Sequence, residues 1–292
     1  MPQHRGGMEV YMRVVFDNCA EAQERASAEK SYGIFHSKQN NPNFNIHTHD
    51  SCEILLCVSG GKNFLIDDKV YSINDGDVFV MNQFEAHKIT FLPDCEVERY
   101  TAQIHPQFIF SASTDMTDLS QCFYMRKDGT SNRIPLSREE SEHIRGLFEE
   151  FSKENSYGDD IIKNTVMIRI LTFLNEKFLT CCVSSPDRVQ NVPLNKAILY
   201  INEHLSDDLT LEKIAKCSYV SVNQLCKLFK STLGTTVLKY IIGKRISQAK
   251  KYLKSGKSVS ETAFLCGFND YSNFIRTFKK EVGISPGKYY TL

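Results

Sequence analysis

The stretch SVSETAFLCGFNDYSNFIRTFKKEVGISP, Ser258 to Pro286, decides the reading of this 292-residue chain. Ser258, with Glu261 three residues on, caps a short helix. Gly267 supplies a turn, where a positive φ costs a residue without a β-carbon nothing. Asp270 then caps a second helix, whose Tyr271, Phe274 and Phe278 recur at helical spacing. Gly283 stands where that helix ends, at the position that favours glycine. Two short helices joined by a tight turn predict a helix-turn-helix.

Upstream, the pattern occurs once more. Leu225, Phe229, Lys230, Gly234 and Thr236 recur 49 residues later as Phe274, Phe278, Lys279, Gly283 and Ser285, while Ile214-Ala215 recurs as Thr262-Ala263 at an offset of 48. The two copies therefore differ by one residue in the inner turn. In the first, Leu211 to Lys216 forms the short helix, and Ser221 with Gln224 caps the second. Between the copies, Ile241, Arg245, Ile246, Ala249 and Leu253 predict one helix over Thr236 to Lys254. About 20 helical residues span roughly 30 Å, close to the ~34 Å turn of B-DNA, so both second helices can enter successive major grooves on one face of a duplex.

Facing then assigns the contacts. On the first recognition helix, Val222, Leu225, Leu228 and Phe229 turn inward, leaving Asn223, Gln224, Cys226 and Lys227 for the groove. On the second, Ser272, Asn273, Ile275 and Arg276 turn outward. Asn and Gln suit adenine edges, and Arg and Lys suit guanine. Lys230, Lys279 and Lys280 are assigned to phosphate, which sets register without reading sequence. Charge agrees: from Pro193 onward there are 16 Lys and Arg against 7 Asp and Glu, and the preceding residues carry the opposite excess, so the whole chain balances at 35 against 35. Lys244, Arg245, Lys250, Lys251, Lys254 and Lys257 are expected to thicken the positive field near the DNA.

These last hundred residues resemble the AraC/XylS family of transcription regulators, through Gly267-Phe268 at the turn, Phe278-Lys279 at the helix end and Gly283-Ile284-Ser285-Pro286 at the close. Thr262 departs from the family's usual aliphatic residue. The resemblance implies binding to double-stranded promoter DNA, activation through contact with RNA polymerase, and a small-molecule effector.

The preceding half reads differently. Short runs at Glu53 to Val58, Asn63 to Ile66, Val70 to Ile73 and Asp77 to Met81 are punctuated by Gly60-Gly61, Asp67-Asp68 and Asn74-Asp75-Gly76, which suggests antiparallel β structure over residues 44 to 110. His47-Thr48-His49, then Glu53 and Gly60, followed by Gly76 and His87, are similar to the two cupin motifs, although Asn82 and Phe84 replace that pattern's usual Pro and Gly. Cupin barrels are the usual partners of this DNA-binding unit, so the two resemblances support each other. Independently, His47, His49 and Glu53 share parity and on an extended strand would point one way. With His87 they form a three-nitrogen, one-carboxylate set suited to a divalent transition metal. The same four residues also suit contact with an organic effector, or a purely structural polar cluster. Phe35, Phe44, Phe64, Tyr71, Phe79 and Phe91 are assigned to barrel core.

After the β region, Ser137 with Glu140 caps a helix carrying Ile144, Leu147, Phe148 and Phe151, and a second helix from Asp160 to Leu179 carries Ile162, Val166, Ile170, Phe173 and Leu174. These helices pack either on their own barrel or on a second subunit.

The fold expected is therefore α+β and multidomain. Residues 1–131 hold an N-terminal arm and a cupin-like antiparallel β-barrel sensor, and 132–183 the trailing amphipathic helices, a candidate homodimer interface. Residues 184–192 form a linker, and 193–292 an all-α double helix-turn-helix domain. No apolar run approaches the ~18 residues that cross a bilayer, so no membrane partner is expected and the cytoplasm is the expected compartment. Ten scattered cysteines without a CxxC pair read as reduced and mostly buried. The alternative is a cupin metalloenzyme, an oxygenase or isomerase, fused to a DNA-binding tail.

Overall fold

The computed structural model describes residues 15–16, 19–40, 46–126, 130–153, 157–180 and 191–291. Most of the 184–192 linker, the start of the arm and Phe44 lie outside them. The chain opens with β1 (Val15–Phe16), α1 (Cys19–Ala28) and β2 (Tyr32–Asn40). There follow β3 (Cys52–Ser59), β4 (Gly61–Ile66), β5 (Lys69–Ser72), β6 (Val78–Met81), β7 (His87–Phe91) and β8 (Glu96–Ile104). After α2 (Pro106–Ala112), α3 (Gln121–Tyr124) and β9 (Arg133–Ile134) come the long helices α4 (Arg138–Phe151) and α5 (Asp159–Thr180).

A six-stranded sheet, in the order β1-β2-β8-β3-β6-β9, faces a three-stranded sheet in the order β5-β4-β7. The four short runs expected from the sequence correspond to β3 through β6. β2 precedes the expected β region. Its outer half, His36 to Asn40, is polar, and no turn residues bound it in the way that marks β4 and β5.

Alternation along the large sheet sets what each face meets. Leu55, Cys57, Phe79 and Met81 point between the sheets, against Phe64, Ile66, Tyr71 and Ile89. Ile54, Leu56, Val80, Ala102 and Ile104 point the other way and bury α4 and α5 through Ile144, Phe148, Val166, Ile170 and Leu174. With both faces covered, β3 reads as an almost continuous apolar run. The two helices thus pack on their own barrel. The capping box of Ser137 and Glu140 is formed, whereas Ile162 turns outward and is 37% exposed.

The C-terminal helices are α6 (Val192–Glu203), α7 (Leu211–Cys217), α8 (Val222–Leu233), α9 (Val237–Lys254), α10 (Val259–Leu265), α11 (Tyr271–Val282) and α12 (Pro286–Thr291). Ser221, Ser258 and Asp270 cap their helices as read from the sequence, and Gly234 and Gly283 end α8 and α11 in the left-handed conformation.

Candidate DNA interface and effector cavity

On α8 the apolar side is buried through Leu225, Phe229 and Leu233, and Asn223, Gln224, Cys226, Lys227 and Lys230 are exposed on the other. On α11, Phe274 and Phe278 are buried, and Ser272, Asn273, Arg276, Lys279 and Lys280 are exposed. Ile275 differs: it is half-buried and packs against the second unit's core, because an aliphatic side chain beside Phe274 gains more from that contact than from water.

The basic residues of α9 and the turn after it, expected to thicken the positive field near the DNA, have partners within the chain. Lys244 pairs with Asp67 at 2.7 Å and Lys250 with Asp50 at 3.1 Å, and Lys250 is only 2% exposed. Arg245 donates to the carbonyls of Leu205 and Asp207, and Lys257 pairs with Glu261. Lys251 lies over the Phe84 ring and Lys254 over that of Tyr289. Sequence displays the charges of a helix without the acidic neighbours that another part of the chain brings to them.

The barrel cavity, about 50 Å³, is lined by His47, Glu53, Leu55, Phe64, His87, Ile89, Arg99 and Thr101. His87 opens β7, whose backbone exchanges hydrogen bonds with His47 at 3.1 and 3.0 Å. This bridge brings together residues 40 positions apart in sequence, so the four predicted residues do meet. His47, His49 and His87 each offer a ring nitrogen within 4.8 Å of the others. Glu53 Oε2 lies 2.6 Å from His49 Nε2 and 3.6 Å from His87 Nε2.

Backbone carbonyls orient two of the rings. His49 Nδ1 meets the Ser51 carbonyl at 2.8 Å, and His87 Nδ1 meets that of Glu85 at 2.9 Å. Each ring therefore turns its Nε2 toward Glu53. The Nε2 of His87 is buried without a hydrogen-bond partner. Burial alone would push the Glu53 carboxyl up, but His87 and His49 outweigh it and hold that carboxyl well below its ordinary value. His87 is raised in turn, the Glu53 charge prevailing over burial.

Sequence reasoning missed the contribution of β8. Gln103 donates to Glu53 at 2.6 Å and accepts from Ser51, while Arg99 and Thr101 line the cavity. Arg99, Thr101 and Gln103 alternate along one strand, and that period of two was the available signal.

Residues 31–171 match the model of the AraC-like ligand binding domain, and residues 214–291 match a helix-turn-helix domain. The probable transcriptional regulator LumQ of Photobacterium leiognathi is 25% identical over 248 residues, spanning 83% of this chain and 90% of that protein. The transcriptional activator RhaR of Salmonella arizonae is 22% identical over 265 residues, spanning 83% of this chain and 86% of that one. The crystallised DNA-binding domain of AdpA, in complex with a target DNA, shares 29% identity across 35% of this chain and 92% of that chain, with a TM-score of 0.33.

A ligand-binding β domain joined to a helix-turn-helix domain defines a DNA-binding transcription regulator. The chain belongs to the AraC/XylS family of such regulators. Among the described residues, no helix is long and apolar enough to cross a membrane.

Proposed function

We propose that the chain is a cytoplasmic, effector-responsive regulator that places α8 and α11 in successive major grooves of a promoter. The carrying observation is the paired amphipathicity of these helices: α8 buries Leu225, Phe229 and Leu233, α11 buries Phe274 and Phe278, and each leaves a polar, basic face in water. α9 separates them with 18 residues, about 27 Å of helix. Asn223, Gln224, Cys226, Lys227, Ser272, Asn273 and Arg276 read bases in this proposal, with Ile275 at the margin, and Lys230, Lys279 and Lys280 hold phosphate. Activation proceeds through RNA polymerase, as expected of the family. No catalytic step is assigned to any residue. The functional division is 1–131 for sensing, 132–183 for helix support and pairing, 184–192 as linker and 193–292 for DNA. Footprinting on DNA selected from a random pool tests the reading.

The sensing ligand is assigned to the barrel cavity. A divalent transition metal fits the donor set, since His87 presents a buried nitrogen that makes no hydrogen bond and two rings are oriented by backbone carbonyls, as metal-bound histidines usually are. His47, His49, His87 and Glu53 would hold it, and the ion would supply a positive charge that draws the three rings together. Arg99 and Thr101 favour a second reading, a small anionic organic effector, because they place a cation and a hydroxyl on the same cavity wall. At about 50 Å³, the cavity limits either ligand to a few atoms.

Pairing of two chains is assigned to the outer face of α5. Ile161, Ile168 and Leu179 there are 67%, 37% and 52% exposed and lie near one line along the helix. Two coupled chains would bind two half-sites through effective concentration.

A further inference from the structure

The sensor touches the two helix-turn-helix units in different ways. With the first it shares one apolar cluster, in which Ile46, Leu65 and Ala86 pack with Leu225, Phe229 and Tyr240. The second unit's cluster, built on Leu253, Phe274, Phe278 and Tyr289, contains no sensor residue among the described residues. Polar bonds reach it instead. Asp50 Oδ1 accepts from Lys250 Nζ at 3.1 Å and from the Tyr289 hydroxyl at 2.6 Å, and Ser247 donates to the Phe84 carbonyl. A hydrogen bond needs its donor and acceptor within about 2.7–3.2 Å and well aligned, so it reports small displacements. The first unit receives polar bonds as well, from Asn63 to the Thr232 carbonyl at 3.1 Å and from Lys88 to the Gly234 carbonyl at 2.7 Å, but adds them to a shared apolar cluster; the second unit's cluster has no such share among the described residues, so its hold on the sensor depends more on the polar bonds.

Asp50 is also bound to the cavity by its place in the chain. It lies between His49, whose ring meets Glu53 at 2.6 Å, and Ser51, whose hydroxyl donates to Gln103. The His49 Nδ1 contact to the Ser51 carbonyl closes a tight loop around it. Adjacent α-carbons are about 3.8 Å apart, and the His49 ring is tied to the Ser51 carbonyl, so a shift of the His49 backbone carries Asp50 with it.

We propose that Asp50 is a latch through which the state of the barrel cavity sets the freedom of the second helix-turn-helix unit relative to the first. The proposal rests on the reading of the cavity as the ligand site. A ligand that draws His49 inward alters the Asp50 bonds to Lys250 and Tyr289, and the second unit responds while the first stays packed on the sensor. Allosteric coupling here means two sites biasing one bistable contact.

Hydrogen–deuterium exchange of the full-length protein tests it, with Asp50→Asn, Tyr289→Phe and His49→Ala beside the wild type. Each variant should raise amide exchange across α10 to α12 by roughly threefold or more, through easier local opening, and leave α7 and α8 at wild-type rates. Unchanged exchange in α10 to α12 for Asp50→Asn and Tyr289→Phe overturns the latch, as does an equal rise in both units. A rise with those two variants and none with His49→Ala overturns its coupling to the cavity. No added ligand is needed, so failure to find a metal would count against the cavity's assigned occupant and leave this result standing.

Discussion

Ile46 Cγ2 lies 2.8 Å from where a β-carbon on Gly243 would stand, so the sensor rests directly on the backbone of α9. This contact joins the residue before His47 to the middle of the helix that carries both recognition units.

A methyl group at Gly243 therefore has opposite effects on helix and interface. In an exposed helix, Gly→Ala would stabilise by about 1 kcal/mol. Here Ile46 is buried at 5% exposure and must give way, at an overpacking cost of about 1–3 kcal/mol. Gly243→Ala should lower the thermal midpoint of the full-length protein. A raised midpoint would show that the close approach does not matter.

Docking should also weaken in acid. Burial pushes the Asp67 carboxyl up, but Lys244 more than offsets it and the net shift is downward; Asp50 is likewise lowered against burial, by Lys250 and Tyr289. A carboxyl depressed in the folded state stabilises above its unfolded value, 3.8 for Asp, and that contribution is lost as the pH falls through the folded one. Small-angle scattering should show the particle expanding below about pH 4. Asp50→Asn with Asp67→Asn should expand it already at neutral pH and flatten the acid response; an identical acid profile in the double variant would refute the assignment.

The metal reading has its own test. Protein purified without a histidine tag and loaded with zinc or cobalt should retain about one ion per chain, and His47→Ala with His49→Ala should retain none. Equal metal content in wild type and variant would remove these ligands from consideration and favour the small anion beside Arg99.

If α5 pairs two chains, Ile161→Glu with Ile168→Glu should convert a dimer into a monomer in sedimentation without lowering thermal stability by more than about 0.5 kcal/mol, since both side chains face outward. A wild type already monomeric at micromolar concentration would place pairing elsewhere or nowhere.

Much of this was legible in the chain. The repeat around Phe229 and Phe278 disclosed both helix-turn-helix units because capping, turn and core residues recur at fixed spacing within each. The His47, His49, Glu53 and His87 set was legible as a pattern, although His47 and His49 lie on an irregular segment before β3 and not on the strand itself. What stayed hidden was long-range. Nothing near Lys250 in sequence announces Asp50, 200 residues away, and nothing near Glu53 announces Gln103. For the same reason Lys244 and Lys250 read as part of a positive field near the DNA, when their counter-charges, Asp67 and Asp50, come from the sensor.

The central claim, two recognition helices reading one face of a promoter, is tested most directly by hydroxyl-radical and methylation footprinting on selected DNA. The wild type should protect two major-groove segments about 10 base pairs apart. Arg276→Ala should lose the contacts in one segment only, weakening binding by ~1–3 kcal/mol, and Asn223→Ala those in the other. A single protected segment, or equal loss at both from either substitution, would contradict the account.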